Sequence, residues 1–378
     1  MRSSSTSKPH PKTEIKTPQI QARQIQAIDA LFEQAGLVRS LRGKAAGVTL
    51  RMRFERAEQQ ELTPSAPVAR LAPNGVEWLA VPAWEKMNWL WHGFSTRRGG
   101  RSRAYCAEDV PGELNLGFTA ADERETVAEN RHLWTEAISG STETPLVTLR
   151  QIHSHLLVIP DASAAGSERP PEAAHLSSSS SSPVSKGDGL MTDRPGLLLG
   201  IQTADCIPVL VADRKRRAVA AFHAGWRGTV QRIVESGIGR MRMEFGSRPE
   251  DLVAAIGPGI GLCCYAVGEE VFSEFESQFT YARELFREVY DSDPVRTRYP
   301  MLFLTQRAPG HSPIGPSLHL DLAEANRRQL LAAGLRPRAI QVVGGCTSCH
   351  RELFFSHRGS DGHAGRMMSV IGIRPDAD

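Results

Sequence analysis

The sequence predicts a layered α/β sandwich. Two kinds of pattern alternate along the chain: short apolar runs of strand length, and longer runs in which apolar residues recur with helical spacing. The chain has 378 residues, 40% of them hydrophobic, which is enough to bury a full core. We therefore expect strands and helices that pack in layers around such a core.

The amino-terminal part has the composition of an extension. Residues 1–17 are rich in Ser, Thr, Lys and Pro and contain no apolar segment of the kind that a signal peptide or membrane anchor needs. An amphipathic pattern over 25–37 predicts a surface or packing helix. Further along, residues 162–186 contain Pro170-Pro171 and an uninterrupted serine run, a composition that predicts a flexible surface insertion.

Two short apolar runs in the middle of the chain predict buried strands over 196–202 and 207–212. The polar segment between them ends in Cys206, which we expect at a strand junction where its side chain can face a pocket. After a charged turn, a third strand is predicted over 218–222. His223 then lies at the carboxyl end of that strand, where ligand crevices of α/β sheets commonly open.

The segment after His223 predicts an anion site. A helical pattern begins near Thr229 and continues through Met241. A helix amino terminus there would direct free N–H groups at the crevice, and Arg227 beside it adds a planar donor group for phosphate or carboxylate. Two glycines flank Trp226 and Arg227, a pattern typical of backbone that approaches a ligand closely.

Later elements follow the same alternation. A strand over Leu252–Ile256 leads into the turn Gly257-Pro258-Gly259. Asp321-Leu322-Ala323-Glu324 has the pattern of a capping box, which predicts a helix that runs through Leu331 and stops at Gly334.

Three residues predict an open metal site: His153, Cys206 and His223. One thiolate and two imidazoles form the ligand set of a catalytic zinc that keeps its fourth tetrahedral position for water or substrate. Copper is a second candidate metal, because copper(II) binds such ligands more tightly than zinc does. A buried cysteine or histidine alone is more often structural. A further alternative is a cysteine hydrolase with Cys206 as nucleophile and His223 as base.

Cys346-Thr347-Ser348-Cys349-His350 matches the pattern of covalent haem attachment and, in part, a thioredoxin-like redox pair. Haem attachment requires export, which the amino terminus does not support. The segment also lies between a strand-like run over 339–343 and Phe354-Phe355. We therefore interpret it as structural or pocket-lining.

Composition excludes several classes of partner. The net charge is only +3 and the basic residues are dispersed, so no nucleic-acid-binding stripe is predicted. No stretch approaches the roughly 18 apolar residues that a membrane span needs. Six cysteines in a chain of this length do not resemble a secreted disulfide framework, so we expect reduced thiols and a cytoplasmic protein.

The chain resembles the YfiH-type laccase-domain family, also described as multicopper polyphenol oxidase-like proteins and as purine nucleoside phosphorylases. The resemblance covers residues 91–373 and rests on motifs that occur in family order. They include His92-Gly93-Phe94-Ser95-Thr96-Arg97, Asn115-Leu116-Gly117, Gln151-Ile152-His153, Gly187-Asp188-Gly189, Thr203-Ala204-Asp205-Cys206, the run from His223 to Gly228, Ile256-Gly257-Pro258, Cys264-Tyr265, Cys346-Thr347 and Gly365-Arg366.

The resemblance implies an α+β fold of mixed sheets flanked by helices, in an α-β-β-α sandwich. It implies an amino-terminal extension over 1–80 and a laccase-like catalytic domain over 81–375. It also implies a cytosolic, zinc-dependent enzyme that phosphorolyses adenosine, inosine and methylthioadenosine and deaminates adenosine. The oligomeric state is not predicted.

The family's zinc ligands correspond to His153, Cys206 and His223, the three residues already chosen. Asp205 is the best placed carboxylate for proton transfer. Candidate substrate and phosphate contacts are Arg97, Asn115, Arg227 and Arg366. The chain departs from the family at Ser154-His155, at Ala266 and at Ser356-His357-Arg358-Gly359, none of which is a proposed metal ligand.

A blue multicopper laccase is not expected. That chemistry needs a cysteine flanked by histidines and repeated His-x-His pairs. The chain has 12 histidines but only one such pair, His153-Ser154-His155, and Cys206 has no histidine neighbour in sequence. A peptidoglycan-editing hydrolase and a copper-binding polyphenol oxidase-like protein remain the alternative functions.

Overall fold

The computed structural model describes residues 68–106, 112–160, 185–289 and 317–375. The predicted tail over 1–17, the helix over 25–37 and all but the last two residues of the predicted insertion lie outside the described residues.

The described chain contains runs of strands that are separated by helices. The strands are β1 (Val68–Leu71), β2 (Glu77–Ala80), β3 (Leu90–Ser95), β4 (Arg98–Ser102), β5 (Leu146–Thr148), β6 (Leu157–Val158), β7 (Gly189–Thr192), β8 (Leu198–Thr203), β9 (Ile207–Asp213), β10 (Val219–Ala224), β11 (Leu252–Ile256), β12 (Ala266–Val267), β13 (Phe286–Val289), β14 (Ser317–Leu320), β15 (Ile340–Val342) and β16 (Met367–Ile373). The α-helices are α1 (Arg124–Ser139), α2 (Trp226–Val230), α3 (Ile233–Phe245), α4 (Glu269–Gln278) and α5 (Leu322–Ala332).

Fifteen of the sixteen described strands form two large mixed sheets and one small antiparallel sheet, and β4 has only isolated bridges to Glu113. The first sheet has the order β1-β2-β3-β16-β8-β5 and the second the order β15-β11-β9-β10-β7-β6. Both sheets are mixed because β5 runs parallel to β8, β6 to β7 and β15 to β11, whereas the other pairs are antiparallel. The small sheet has the order β12-β14-β13.

The two large sheets pack face to face, with helices on their outer faces. Phe94, Leu199 and Leu210 belong to the buried core between the sheets. Trp134 of α1 packs on the outer face of the first sheet, and α3 and α5 bury Ile233 and Leu330 against the outer face of the second. The predicted α+β fold of α-β-β-α layers is therefore confirmed.

The first two strands lie within the part assigned to the amino-terminal extension. Strand β2 pairs with β3 through Trp78 opposite Ser95 and Leu79 opposite Phe94, and β1 pairs with β2. The boundary predicted at residue 80 therefore falls inside the first sheet.

The three central strands occur as β8, β9 and β10, within one or two residues of their predicted bounds. The following helix differs from the prediction. It begins at Trp226 rather than near Thr229, and it is interrupted at Arg232, which has a left-handed φ of 60°. Arg232 donates hydrogen bonds to Glu235 and to the carbonyl of Gln278, contacts that accompany this break.

Helix α5 begins and ends as predicted. The Asp321 carboxylate accepts a hydrogen bond from the Glu324 amide at 2.9 Å, which caps the helix start. Gly334, with a φ of +96°, follows the last turn. Among the described residues, no helix is both long and apolar enough to cross a membrane.

Candidate metal centre

His153, Cys206 and His223 converge on one point between the second sheet and the loops at its end. One ligand atom from each of the three lies within 4.8 Å of those of the other two. Nε2 of His153 is 3.9 Å from Sγ of Cys206, and the two imidazole rings are 4.9 Å apart at their centroids. These separations fit donors that share one metal ion.

His223 is oriented by a buried carboxylate. It is the next-to-last residue of β10 and is 3% exposed. Its Nδ1 is 2.8 Å from Oδ1 of the fully buried Asp188. That contact leaves Nε2 to face Cys206, the arrangement in which a carboxylate fixes the tautomer of a metal-ligating histidine.

Asp188 also fixes the backbone that carries His153. Its carboxylate accepts hydrogen bonds from the amides of Ile152, His153 and Ser154 and from the Ser154 hydroxyl. These bonds hold His153 at a φ of 57°, which residues other than glycine rarely adopt. One carboxylate therefore positions both histidines.

Neighbouring side chains favour the ionised forms of Cys206 and Asp188. Burial disfavours the Cys206 thiolate, but the adjacent imidazoles of His223 and His153 lower the pKa of Cys206 to about 6. Burial also opposes ionisation of Asp188, yet hydrogen bonds from His223 and Ser154 lower its pKa to about 2. A thiolate is thus accessible near neutral pH, and thiolate is the form that binds metal.

Gly225 leaves the space in which the ligands meet. A Cβ atom at this position would lie 3.0 Å from Sγ of Cys206 and 3.1 Å from Cδ2 of His153. The backbone there is extended, with φ −68° and ψ 168°, so alanine is conformationally allowed. The absence of a side chain is therefore required by the ligands and not by the backbone.

Gly225→Ala is expected to lower metal affinity by about tenfold or more, the range seen when groups around a metal site are displaced. The added methyl pushes apart two donors while the fold is retained. Equilibrium titration with zinc would measure the effect. Gly239→Ala is the matched control, because Gly239 is helical and exposed and has no atom within 4 Å of an added Cβ; equal affinities for the two variants would refute this role of Gly225.

Asp205, the predicted proton-transfer residue, is held by hydrogen bonds from the loop over 344–366. Its carboxylate accepts hydrogen bonds from the hydroxyls of Thr347 and Ser356, at 2.6 and 2.7 Å, and from the Arg358 amide at 2.7 Å. Its φ is 89°. The residue therefore ties the end of β8 to the loop over 344–366 and so positions the neighbouring Cys206.

Arg97, Asn115 and Arg366 lie in a separate hydrogen-bond network. Arg97 pairs with Glu113 at 2.6 Å and donates to the Arg351 carbonyl. Asn115 is fully buried and accepts from the Arg366 amide, while the Arg366 guanidinium donates to backbone carbonyls of Ala364 and Gly365. The guanidinium groups of Arg97 and Arg366, two of the three predicted to bind phosphate, are thus engaged within the protein.

Arg227 is placed differently. It is exposed on α2, its guanidinium stacks on Trp226 at 4.4 Å, and no carboxylate of the described residues pairs with it. Arg227 lies close enough to Tyr265 for its charge to affect the pKa of the Tyr265 hydroxyl. The same holds for Cys206 and Arg358. The guanidinium of Arg358 also stacks on the Tyr265 ring at 5.6 Å. Tyr265 therefore has Arg227, Arg358 and the candidate ligand Cys206 as charged neighbours.

Asp188, Tyr265 and Thr347 have no role predicted from the sequence, although each lies in one of the family motifs. For Asp188, the available signal was a carboxylate between two glycines, Gly187 and Gly189, directly before a strand. Such glycines permit close packing: a Cβ at Gly189 would lie 2.4 Å from Leu157. An acidic residue in that setting indicates a buried carboxylate that needs donors.

Comparison with known proteins places the chain in a family. A family model described as multi-copper polyphenol oxidoreductase laccase matches residues 91–374. The chain belongs to this laccase-domain family.

Laccase-domain relatives include a protein of Bacteroides thetaiotaomicron named purine nucleoside phosphorylase, 36% identical over 283 residues, which cover 75% of this chain and 91% of the relative. A protein of an unknown prokaryotic organism named adenosine deaminase RL5 is 33% identical over 184 residues, which cover 49% of this chain and 66% of the relative. The crystal structure of YfiH from Bacillus licheniformis matches with a TM-score of 0.63 and 31% identity over 79% of this chain and 96% of that one.

Proposed function

We propose that the protein is a zinc-dependent purine nucleoside phosphorylase that also deaminates adenosine. Its substrates are adenosine, inosine and methylthioadenosine, with inorganic phosphate as the second substrate of phosphorolysis. The observation that carries the proposal is the convergence of His153, Cys206 and His223 within 4.8 Å. The names of the laccase-domain relatives support the substrate class, and the requirement for a reduced thiol supports a cytoplasmic location.

The donor set fits zinc. His153, Cys206 and His223 would hold the ion through two imidazoles and one thiolate, a donor set found in catalytic zinc sites, which keep one position for water or substrate. When bound, zinc would supply a Lewis acid that activates water or polarises the substrate. Copper(II) competes for such ligands, so the metal content is to be measured on protein purified without added copper.

The chain's own residues would bind and orient the substrates. In phosphorolysis the bond between ribose C1′ and the base nitrogen breaks, and a phosphate oxygen bonds to C1′. Arg227 offers phosphate a guanidinium that no carboxylate of the described residues occupies. The Arg358 guanidinium stacks on Tyr265, and Asp205 holds this part of the loop through Thr347, Ser356 and the Arg358 amide.

A cysteine hydrolase would use Cys206 and His223 alone. The position of His153 favours the metal enzyme, because its Nε2 approaches the Cys206 sulfur to 3.9 Å from a backbone held in a strained conformation. A thiol nucleophile with His223 as base does not need this third donor. His153→Ala therefore separates the two functions: the metal enzyme loses turnover, whereas a hydrolase retains it.

The reaction is tested by product analysis. Purified protein with adenosine in phosphate buffer is expected to yield ribose 1-phosphate and adenine, and in phosphate-free buffer inosine and ammonia. Chelation is expected to stop both reactions. Failure to form any of these products with metal-loaded protein would overturn the proposed function.

Arg227→Ala is expected to raise the KM for phosphate by about 10- to 100-fold, because a hydrogen bond to a charged group contributes about 1.5–3 kcal/mol. Deamination needs no phosphate and is expected to change much less. Arg240→Ala is the matched control, since Arg240 is on α3 and pairs with Glu244 at the surface. Parallel loss of phosphorolysis and deamination would argue against phosphate binding by Arg227.

A further inference from the structure

Four cysteines outside the metal centre form a second group. Sγ atoms of Cys263, Cys264, Cys346 and Cys349 all lie within 4.8 Å of one another. Cys349 is 3.4 Å from both Cys263 and Cys264, measured between sulfurs, and all four thiols are unbridged. Two loops supply them, since Cys349 is 86 and 85 residues away from Cys263 and Cys264 in the chain.

We propose that these four cysteines bind a second zinc ion in a closed, structural site. Four thiolates around zinc, with bonds of about 2.3 Å, place their sulfurs about 3.8 Å apart, and structural zinc sites are commonly built from four cysteines that include a Cys-x-x-Cys pair. Cys346-Thr347-Ser348-Cys349 supplies that pair. This inference is independent of the proposed function, because it uses none of the three residues of the metal centre.

The backbones of the two cysteine-bearing loops lie close together. The two loops pair at Gly259 and Cys346, and the Thr347 amide donates to the Gly259 carbonyl at 3.0 Å. A Cβ on Gly261 would lie 3.1 Å from Cβ of Cys346 and 3.3 Å from Sγ of Cys263. Gly261 thus leaves the space in which the sulfurs meet, as Gly225 does for the metal centre.

The four thiols are partly open to solvent. Cys263 and Cys349 are exposed, whereas Cys264 and Cys346 are half-buried, so an ion can enter from solvent. All four positions around it would be occupied by protein, which distinguishes this site from the open one.

The second zinc would fix the positions of residues next to the metal centre. Cys264 precedes Tyr265, and Thr347, between the two cysteines of the Cys-x-x-Cys pair, donates its hydroxyl to Asp205. Cross-linking the two loops through the four sulfurs would therefore hold Tyr265, Thr347 and Asp205 in register. The same loops would lose this constraint when the zinc is removed.

Metal counting tests the inference. Element analysis is expected to find two zinc ions per wild-type chain, one in Cys206→Ala, one in the double variant Cys346→Ser/Cys349→Ser, and none when all three substitutions are combined. Cys106→Ser is the control, because Cys106 belongs to neither group, and it is expected to keep both ions. A wild-type count that the double variant leaves unchanged would overturn the inference, and iron in place of zinc would overturn the metal assignment.

A second measurement avoids variants that fail to fold. Native wild-type protein is alkylated with and without a chelator and analysed by peptide mass spectrometry. Zinc is expected to protect Cys263, Cys264, Cys346 and Cys349, and chelation is expected to expose them together. Equal modification with and without chelator, or disulfide-linked peptides from this group, would contradict the proposed site.

Discussion

Cys206→Ala is expected to remove the metal from the open site and to lower phosphorolysis by about a thousandfold or more. Lewis-acid stabilisation contributes several kcal/mol, and about 1.4 kcal/mol corresponds to a factor of ten in rate. The variant removes the one thiolate among the three donors that lie within 4.8 Å of one another. Steady-state kinetics with adenosine and phosphate, together with element analysis, would measure both effects.

Cys106→Ala provides the control for Cys206→Ala. It removes a thiol that lies outside both candidate metal-binding groups, so metal content and rate are expected to stay at the wild-type level. If Cys206→Ala loses turnover but keeps its full metal content, Cys206 acts as a nucleophile and the metal account of this residue is wrong.

Asp188→Asn is expected to lower zinc affinity by about 10- to 100-fold, as replacement of partners of metal-ligating histidines does. It is also expected to lower the free energy of unfolding by several kcal/mol. Asp188 accepts hydrogen bonds from three backbone amides, one hydroxyl and His223. An asparagine amide group directs N–H groups at some of these donors, and each buried donor left without a partner costs about 1–3 kcal/mol.

Asp213→Asn is the matched control for Asp188→Asn. Asp213 is also fully buried, but one of its oxygens accepts from the amides of Lys215 and Arg216 and the other has no hydrogen-bond partner in the structure. The side-chain oxygen of the asparagine can accept the same two hydrogen bonds from the Lys215 and Arg216 amides. Asp213 lies at the end of β9, in the sheet that also contains β7, the strand directly after Asp188. Zinc titration is expected to separate the two variants; equal zinc affinity in both would show that Asp188 does not orient the ligands.

The local elements around the metal centre could be predicted because their signals are local. The apolar runs of β8, β9 and β10 lie next to one another in sequence, and Asp321 and Glu324 define a capped helix within one turn. The break in the helix after β10 was missed. It occurs at Arg232, whose backbone is left-handed and whose guanidinium donates hydrogen bonds to Glu235 and to the Gln278 carbonyl, contacts that no periodic pattern reports.

Contacts between distant segments could not be predicted. Arg97 reads as an available phosphate ligand until its pairing with Glu113 is seen. Asp205 reads as a free carboxylate, whereas three donors from the loop over 344–366 occupy it. The Cys-x-x-Cys pair indicates a structural or pocket-lining role, but its partners Cys263 and Cys264 are brought to it only by the pairing of two loops.

The most direct test of the account compares metal content and adenosine turnover in the same preparation. Wild-type protein is stripped with a chelator and then titrated with zinc, and His153→Ala is treated in parallel. We expect phosphate-dependent formation of adenine to disappear on stripping and to return in proportion to the zinc bound, while His153→Ala regains none. Undiminished turnover by the metal-free wild-type protein would contradict the claim that His153, Cys206 and His223 form a catalytic metal site.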